Sequence, residues 1–160
     1  IGATMTVAQR FFDAFMLGDH FTMGQLYAPD ATFSDPIFPL LSAEEARLMW
    51  RMLLTRARDF TVSAHVDEGP GGARAVWIAR YTYGTRPVRN RVYTEMVIAA
   101  GKIVRQVDRF SFWRWSRQAL GWKGWLLGWT PWLRNRVRAQ AAEALRRFAQ
   151  KERQGIKETR

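Results

Sequence analysis

Apolar residues at positions 7, 8, 11, 12, 15 and 16 recur at helical spacing and predict an amphipathic helix over residues 6–17. Gly18-Asp19 ends it, with glycine just past the last periodic residue. Residues 21–28 read as a short helix stopped at Pro29. Thr32–Phe38 reads as a short strand containing the step Asp35-Pro36. Ser42 with Glu45 three residues on forms a capping box. It opens a helix to about Arg56 with Ala46, Met49, Trp50 and Leu53 on one face. From Asp59 the period changes to two: Phe60, Val62, Ala64 and Val66 alternate with Thr61, Ser63, His65 and Asp67. After a turn at Gly69–Gly72, strands are predicted over 74–83, 91–99 and 102–113. Ala100-Gly101 is a tight hairpin and Thr85–Asn90 a looser connection. Three helices followed by antiparallel strands predict an α+β fold, a curved sheet with helices packed on its concave side.

Beyond residue 112 the pattern changes character. Gly121–Trp129 is an aromatic loop punctuated by glycine. Thr130-Pro131 then supplies an N-cap and a proline at the first helical position. Leu133, Val137, Ala141, Leu145 and Phe148 make an apolar stripe, with Arg134, Arg138, Arg146, Arg147 and Lys151 on the other faces. Residues 154–160 read as a frayed end.

Charge sharpens this division. The 160 residues carry a net +11. Residues 1–112 hold 13 Lys/Arg against 11 Asp/Glu, whereas 113–160 hold 12 against 3, together with six of the eight tryptophans. The expectation is a nearly neutral domain over 1–112 and a basic, Trp-rich helical extension over 113–160. With no cysteine, disulfides and thiolate metal sites are excluded. No basic segment followed by an apolar run opens the chain, so no signal peptide is read. No stretch approaches ~18 uninterrupted apolar residues. These features suit a cytoplasmic protein, peripheral at a membrane at most.

The order of elements, together with Gly18-Asp19, Tyr27-Ala28 before Asp30-Ala31, and Asp35-Pro36, resembles the nuclear-transport-factor-type cone fold over roughly residues 6–112. Ketosteroid isomerases, SnoaL-type polyketide cyclases and limonene-epoxide hydrolases share that fold. Gly101–Phe110 is similar to the last-strand pattern Gly-x-Ile-x-x-x-x-Asp-x-Phe of the hydrolases and cyclases. The resemblance implies a general acid/base at Asp108 and a second base or orienting group at Asp35, the isomerases' base position. It implies a further acid at Glu95, which with Arg80 would polarise a substrate. Such chemistry needs fixed donors in a dry pocket, because an enolate is unstable in water.

Two positions depart from the enzymes. Phe11 falls where the isomerases carry a tyrosine and has no hydroxyl. Thr82, in Arg80-Tyr81-Thr82, stands where the hydrolases carry an aspartate. By period two, Gln106, Asp108 and Phe110 share a face, as do Tyr93 and Glu95. Phe11, Phe15, Trp50, Tyr93, Gln106 and Phe110 are the residues expected around an apolar ligand. A structural alternative accompanies each acid: Asp35 capping a turn, Glu95 paired with Arg80, Asp108 paired with Arg105. His20 and His65 follow no metal-ligand spacing, and Gly69–Gly72 leads into no helix, so neither a metal nor a cofactor is expected.

The resulting expectation is a cofactor-independent, SnoaL-like enzyme. It would isomerise, cyclise or hydrolyse an apolar carbonyl-bearing ligand of polyketide, steroid or lipid type, as a homodimer in the family's usual manner. The alternative is a ligand-binding or membrane-surface module that has lost the chemistry. The tail admits three readings: a cover for the cone mouth or dimer interface, an anionic membrane surface bound through 113–150, or nucleic acid. The last fits least, because the charge sits on one helix and no nucleic-acid motif accompanies it.

Overall fold

The computed structural model describes residues 5–159. Helices α1 (Val7–Met16) and α2 (His20–Gln25) lead into strand β1 (Tyr27–Ser34), a two-residue β2 (Leu41–Ser42) and α3 (Ala43–Arg56). Four long strands follow: β3 (Arg58–Gly69), β4 (Gly72–Tyr83), β5 (Arg86–Ala99) and β6 (Lys102–Arg109). The chain closes with α4 (Phe112–Leu120), α5 (Trp122–Leu127) and α6 (Pro131–Glu158). The sheet order is β2-β1-β6-β5-β4-β3, with β1 and β6 parallel and every other neighbouring pair antiparallel. This is an α+β cone: a curved, unclosed sheet with helices against its concave face.

Local chemistry accounts for the elements. Thr6 caps α1 by accepting from the Gln9 amide at 3.1 Å, and Phe11, Phe12 and Phe15 point from that helix into the core. The Ser42–Glu45 capping box forms in both directions. Irregularities in β1, β3 and β6 interrupt the ladders. Each adds local bend and twist, and together they curl the sheet. Ala100 and Gly101, both at positive φ, close the β5–β6 hairpin, the geometry a two-residue hairpin prefers. Small side chains at Ala73, Ala75 and Ala79 on the inner face of β4 leave room for helices and for Trp77.

Several expected boundaries move. The strand that was expected to begin at Thr32 begins at Tyr27, and Asp35-Pro36 lies past its end in a turn. The supposed loose connection over Thr85–Asn90 is mostly strand, because β4 and β5 stay paired down to Tyr83 and Arg86. Phe112 and Trp113 belong to α4 rather than to the last strand. The aromatic loop contains a short helix, and α6 continues to Glu158.

The tail packs onto the cone. Leu145 and Phe148 of α6 join the main core, and Arg51 on α3 pairs with Glu152 at 2.9 Å. Phe112, Trp115, Ala119, Leu133 and Val137 form a second buried cluster with Val88 of β5. Helices α4 and α5 meet at Gly124, where an added Cβ would lie 1.9 Å from the Ser116 carbonyl oxygen. Gly124→Ala is therefore expected to cost about 1–3 kcal/mol, as overpacking does. A thermal melt indistinguishable from wild type would show that the two helices do not approach this closely.

Candidate functional site

A cavity of about 470 Å³ opens between the sheet, α3 and α6. That size accommodates a small organic ligand. Phe15 from α1 and Trp50 from α3 form part of its apolar wall, and Val137, Gln140, Ala141 and Ala144 of α6 close one side. Its acidic groups among the described residues are Asp35 and Asp108.

Asp108 lies on β6, directly opposite Thr94 on β5, with only 4% of its surface exposed. Its Oδ1 accepts from Thr94 Oγ1 at 2.7 Å and from Gln106 Nε2 at 3.1 Å. Each donor is held in turn. Trp77 Nε1 donates to Thr94 Oγ1 at 2.8 Å. Tyr27 donates its hydroxyl to Gln106 Oε1 at 2.6 Å, and Trp50 Nε1 donates to Tyr27 at 3.0 Å. This chain of bonds fixes the carboxyl group on one oxygen only. Oδ2 receives no donor among the described residues, on a side chain that borders the cavity. Burial, with a smaller push from the nearby Asp35, raises the Asp108 pKa to about 7 against the two hydrogen bonds that lower it.

Asp35 follows from strand register. Ser34 of β1 pairs with Val107 of β6, so Asp35 comes one step beyond the last paired position, alongside Asp108 on the neighbouring parallel strand. Its Oδ1 accepts the amides of Ile37 at 2.7 Å and Phe38 at 2.6 Å, which folds the Asp-Pro segment into a side-chain-capped turn. Arg138 on α6 secures the same turn through Pro36, donating to its carbonyl at 2.8 Å. Burial dominates here too and lifts the Asp35 pKa to about 6, with the two amides and Arg138 pulling it down.

A third polar group was not foreseen. Tyr81 on β4 borders the cavity, and its hydroxyl oxygen accepts from Trp115 Nε1 at 2.8 Å. The hydroxyl's own proton has no acceptor among the described residues. Burial pushes its pKa up to about 12, so it stays protonated as a donor. Its alternation with Ala79 on the inward face was the available signal.

The remaining expected residues divide. Gln106 is buried in the Asp108 network, and Phe110, Phe15 and Trp50 line the cavity. Phe11 is fully buried beneath it, its ring centroid 5.9 Å from that of Tyr27. The tyrosine hydroxyl missing at Phe11 is thus present one side chain away, but it is directed to Gln106. Arg80, Tyr93 and Glu95 are exposed on the outer face of the sheet. On β4 the inward positions are Ala79 and Tyr81, and on β5 they are Val92, Thr94 and Met96, so the residues between them point away from the cavity. Glu95 pairs with Arg109 at 3.4 Å and not with Arg80. Among the described residues no group of three His, Cys, Asp or Glu could hold a metal. No described helix is long and apolar enough to cross a membrane.

A family model for the SnoaL-like domain matches residues 8–106. The chain belongs to the SnoaL-like domain family. None of the curated proteins matches it in sequence. Solved structures match its fold. A hypothetical protein from Catenulispora acidiphila with a ketosteroid isomerase-like fold, in complex with trimethylamine, superposes with TM-score 0.66 at 16% identity, over 81% of this chain and all of that one. An epoxide hydrolase of M. tuberculosis gives 0.61 at 16% identity, over 75% and 90% of the two chains. A proposed polyketide cyclase of Silicibacter gives 0.62 at 17% identity, over 70% and 91%. At these identities the likeness establishes a fold shared with isomerases, cyclases and hydrolases.

Proposed function

We propose that this SnoaL-like protein is a cofactor-independent enzyme that moves a proton beside a carbonyl, isomerising or cyclising an apolar polyketide-, steroid- or lipid-like substrate. The observation that carries this reading is Asp108: a buried carboxyl group satisfied on Oδ1, bare on Oδ2, and facing an apolar cavity. A base whose pKa is close to the working pH combines availability with strength, and burial brings Asp108 to about 7. Asp108 Oδ2 takes the proton from the carbon next to the carbonyl. The C–H electron pair forms the enol double bond, and negative charge develops on the carbonyl oxygen. Tyr81 donates its free O–H to that oxygen, as fixed donors in dry sites do. The proton then returns from Asp108 to a different carbon of the conjugated enolate, or the enolate carbon attacks a second carbonyl of the same chain to close a ring and the alkoxide so formed takes the proton back from Asp108. Burial, with a smaller push from Asp35, keeps the base from resting fully ionised. Epoxide hydrolysis lacks comparable support, since Arg80 faces outward and Thr82 carries no carboxylate.

The test needs no natural substrate. Cyclic and polycyclic ketones are incubated with the protein in heavy water, and deuterium uptake next to the carbonyl is followed by NMR. Uptake is expected to rise with pH through about 7, and to fall by at least about a hundredfold in Asp108→Asn. Tyr81→Phe is expected to slow it about tenfold to a hundredfold. Ketones that bind but never exchange would leave a ligand-binding module as the reading. We also infer a homodimer through the outer sheet face, where Val76, Tyr93 and Val97 stand exposed among charged neighbours.

A further inference from the structure

The segment between Phe112 and Ala142 contains six Lys/Arg and no acidic residue. It has already filled its share of the interior, with Phe112, Trp115, Ala119, Leu133 and Val137 buried. A second apolar set remains outside. Trp122, Trp125, Leu126, Leu127, Trp129 and Trp132 are exposed within eleven consecutive residues, Trp122 by 69% and Trp129 by 72%. Arg117, Lys123 and Arg136 lie over the rings of Trp113, Trp122 and Trp132, at 4.7 to 5.8 Å from the ring centroids. The indole N–H groups of Trp122, Trp125 and Trp132 donate to no acceptor among the described residues.

We propose that this aromatic, cationic face is a docking surface for the headgroup layer of an anionic lipid bilayer. Tryptophan suits that layer because its body is apolar and its N–H is polar. Basic residues beside it are attracted to anionic headgroups within a Debye length. Each alternative occupant meets a physical objection. A second copy placed by two-fold symmetry would set this acid-free face against itself, cation facing cation. Single-stranded nucleic acid would stack on the tryptophans, but it gives the neighbouring Leu126 and Leu127 nothing to bury against. Helix α5 fills the span between Gly121 and Gly128 and carries Trp122 and Trp125, while Trp132 stands on the first turn of α6. Trp132 and the cavity-lining Val137 share α6, separated by five residues, roughly 7.5 Å of helix at ~1.5 Å per residue. Docking therefore brings the cavity wall next to the membrane, a route by which a lipid-soluble ligand would enter. The docking itself stands whether or not the acid/base chemistry does.

The experiment is co-sedimentation of the whole protein with phosphatidylcholine vesicles and with vesicles that also contain phosphatidylglycerol, alongside tryptophan fluorescence. The expected result is binding to the anionic vesicles, a blue shift in emission, and release as salt rises. Replacing Trp122, Trp125, Trp129 and Trp132 together by Ala should lower the partition coefficient about tenfold or more. Lys123→Glu with Arg136→Glu should do the same on anionic vesicles alone. These residues are exposed, so circular dichroism should be unchanged in both variants. Failure of the phosphatidylglycerol-containing vesicles to bring down the protein overturns the proposal. So does binding of a single-stranded oligonucleotide without vesicle binding, or a dimer that dissolves when the four tryptophans are removed.

Discussion

Asp108→Asn is expected to make the protein more stable at alkaline pH, by about 4 kcal/mol, while leaving it almost unchanged in acid. The sign follows from the direction of the shift. Burial raises the folded-state pKa from 3.8 to about 7, so the folded protein holds this proton more tightly than the unfolded chain. The stability that this proton confers is complete below 3.8 and is lost as pH rises to about 7. Above that, wild type keeps a buried negative charge, whereas the asparagine variant is neutral throughout. Asparagine retains an oxygen for Thr94 and Gln106 to donate to, so the network survives the exchange. Urea unfolding of both proteins across this pH range measures the difference. Parallel curves would mean that Asp108 is solvated in the folded state, and the base assigned above would fall with it. The curve of the variant should still bend at lower pH, because Asp35, raised to about 6, is untouched.

Removal of residues 112–160 is expected to abolish cooperative folding. The cut deletes Phe112, Trp115, Leu133, Val137, Leu145 and Phe148, all buried. Even at about 1.5 kcal/mol each, the lower end for a buried apolar side chain, the loss is about 9 kcal/mol, comparable to the whole stability of a typical domain. Phe15, Trp50 and the other cavity walls would also lose their cover. Near-ultraviolet circular dichroism and amide peak dispersion report the outcome. A truncated chain that unfolds sharply at the wild-type midpoint would show that 113–160 is an appendage to an autonomous cone.

The sequence carried the cone legibly because its signals were local. The capping box at Ser42, the glycine stop at Gly18 and the switch from helical to alternating period each depend on a few neighbours. The inward face of β5 was harder to read. Tyr93 and Val97 are as apolar as Val92 and Met96, so alternation alone does not say which set meets the core. The hairpin misleads as well: counted from Ala99 opposite Lys102, Asp108 falls opposite Tyr93, and only the irregularity at Val97–Ile98 moves it to Thr94. The resemblance placed Glu95 and Arg80 at the cavity, but in the folded sheet both fall on the exposed parity. Asp35 and Asp108 escaped that difficulty because parallel pairing of β1 with β6 sets them side by side. Tyr81 and Trp115 were invisible as a pair, since one lies on the sheet and the other in the tail, 34 positions apart.

The position of α6 has a consequence for biosynthesis. Leu145 and Phe148 pack into the same core as Phe11, Phe12 and Phe15, yet a ribosome delivers them more than a hundred residues later. Chains fold from the N-terminal end as they emerge, and here the sheet and first helices would emerge as an open cup with its apolar lining bare. That lining stays exposed until the final helix clears the exit tunnel, so the nascent chain passes through an interval in which a chaperone or an apolar ligand can occupy the place that α6 will take.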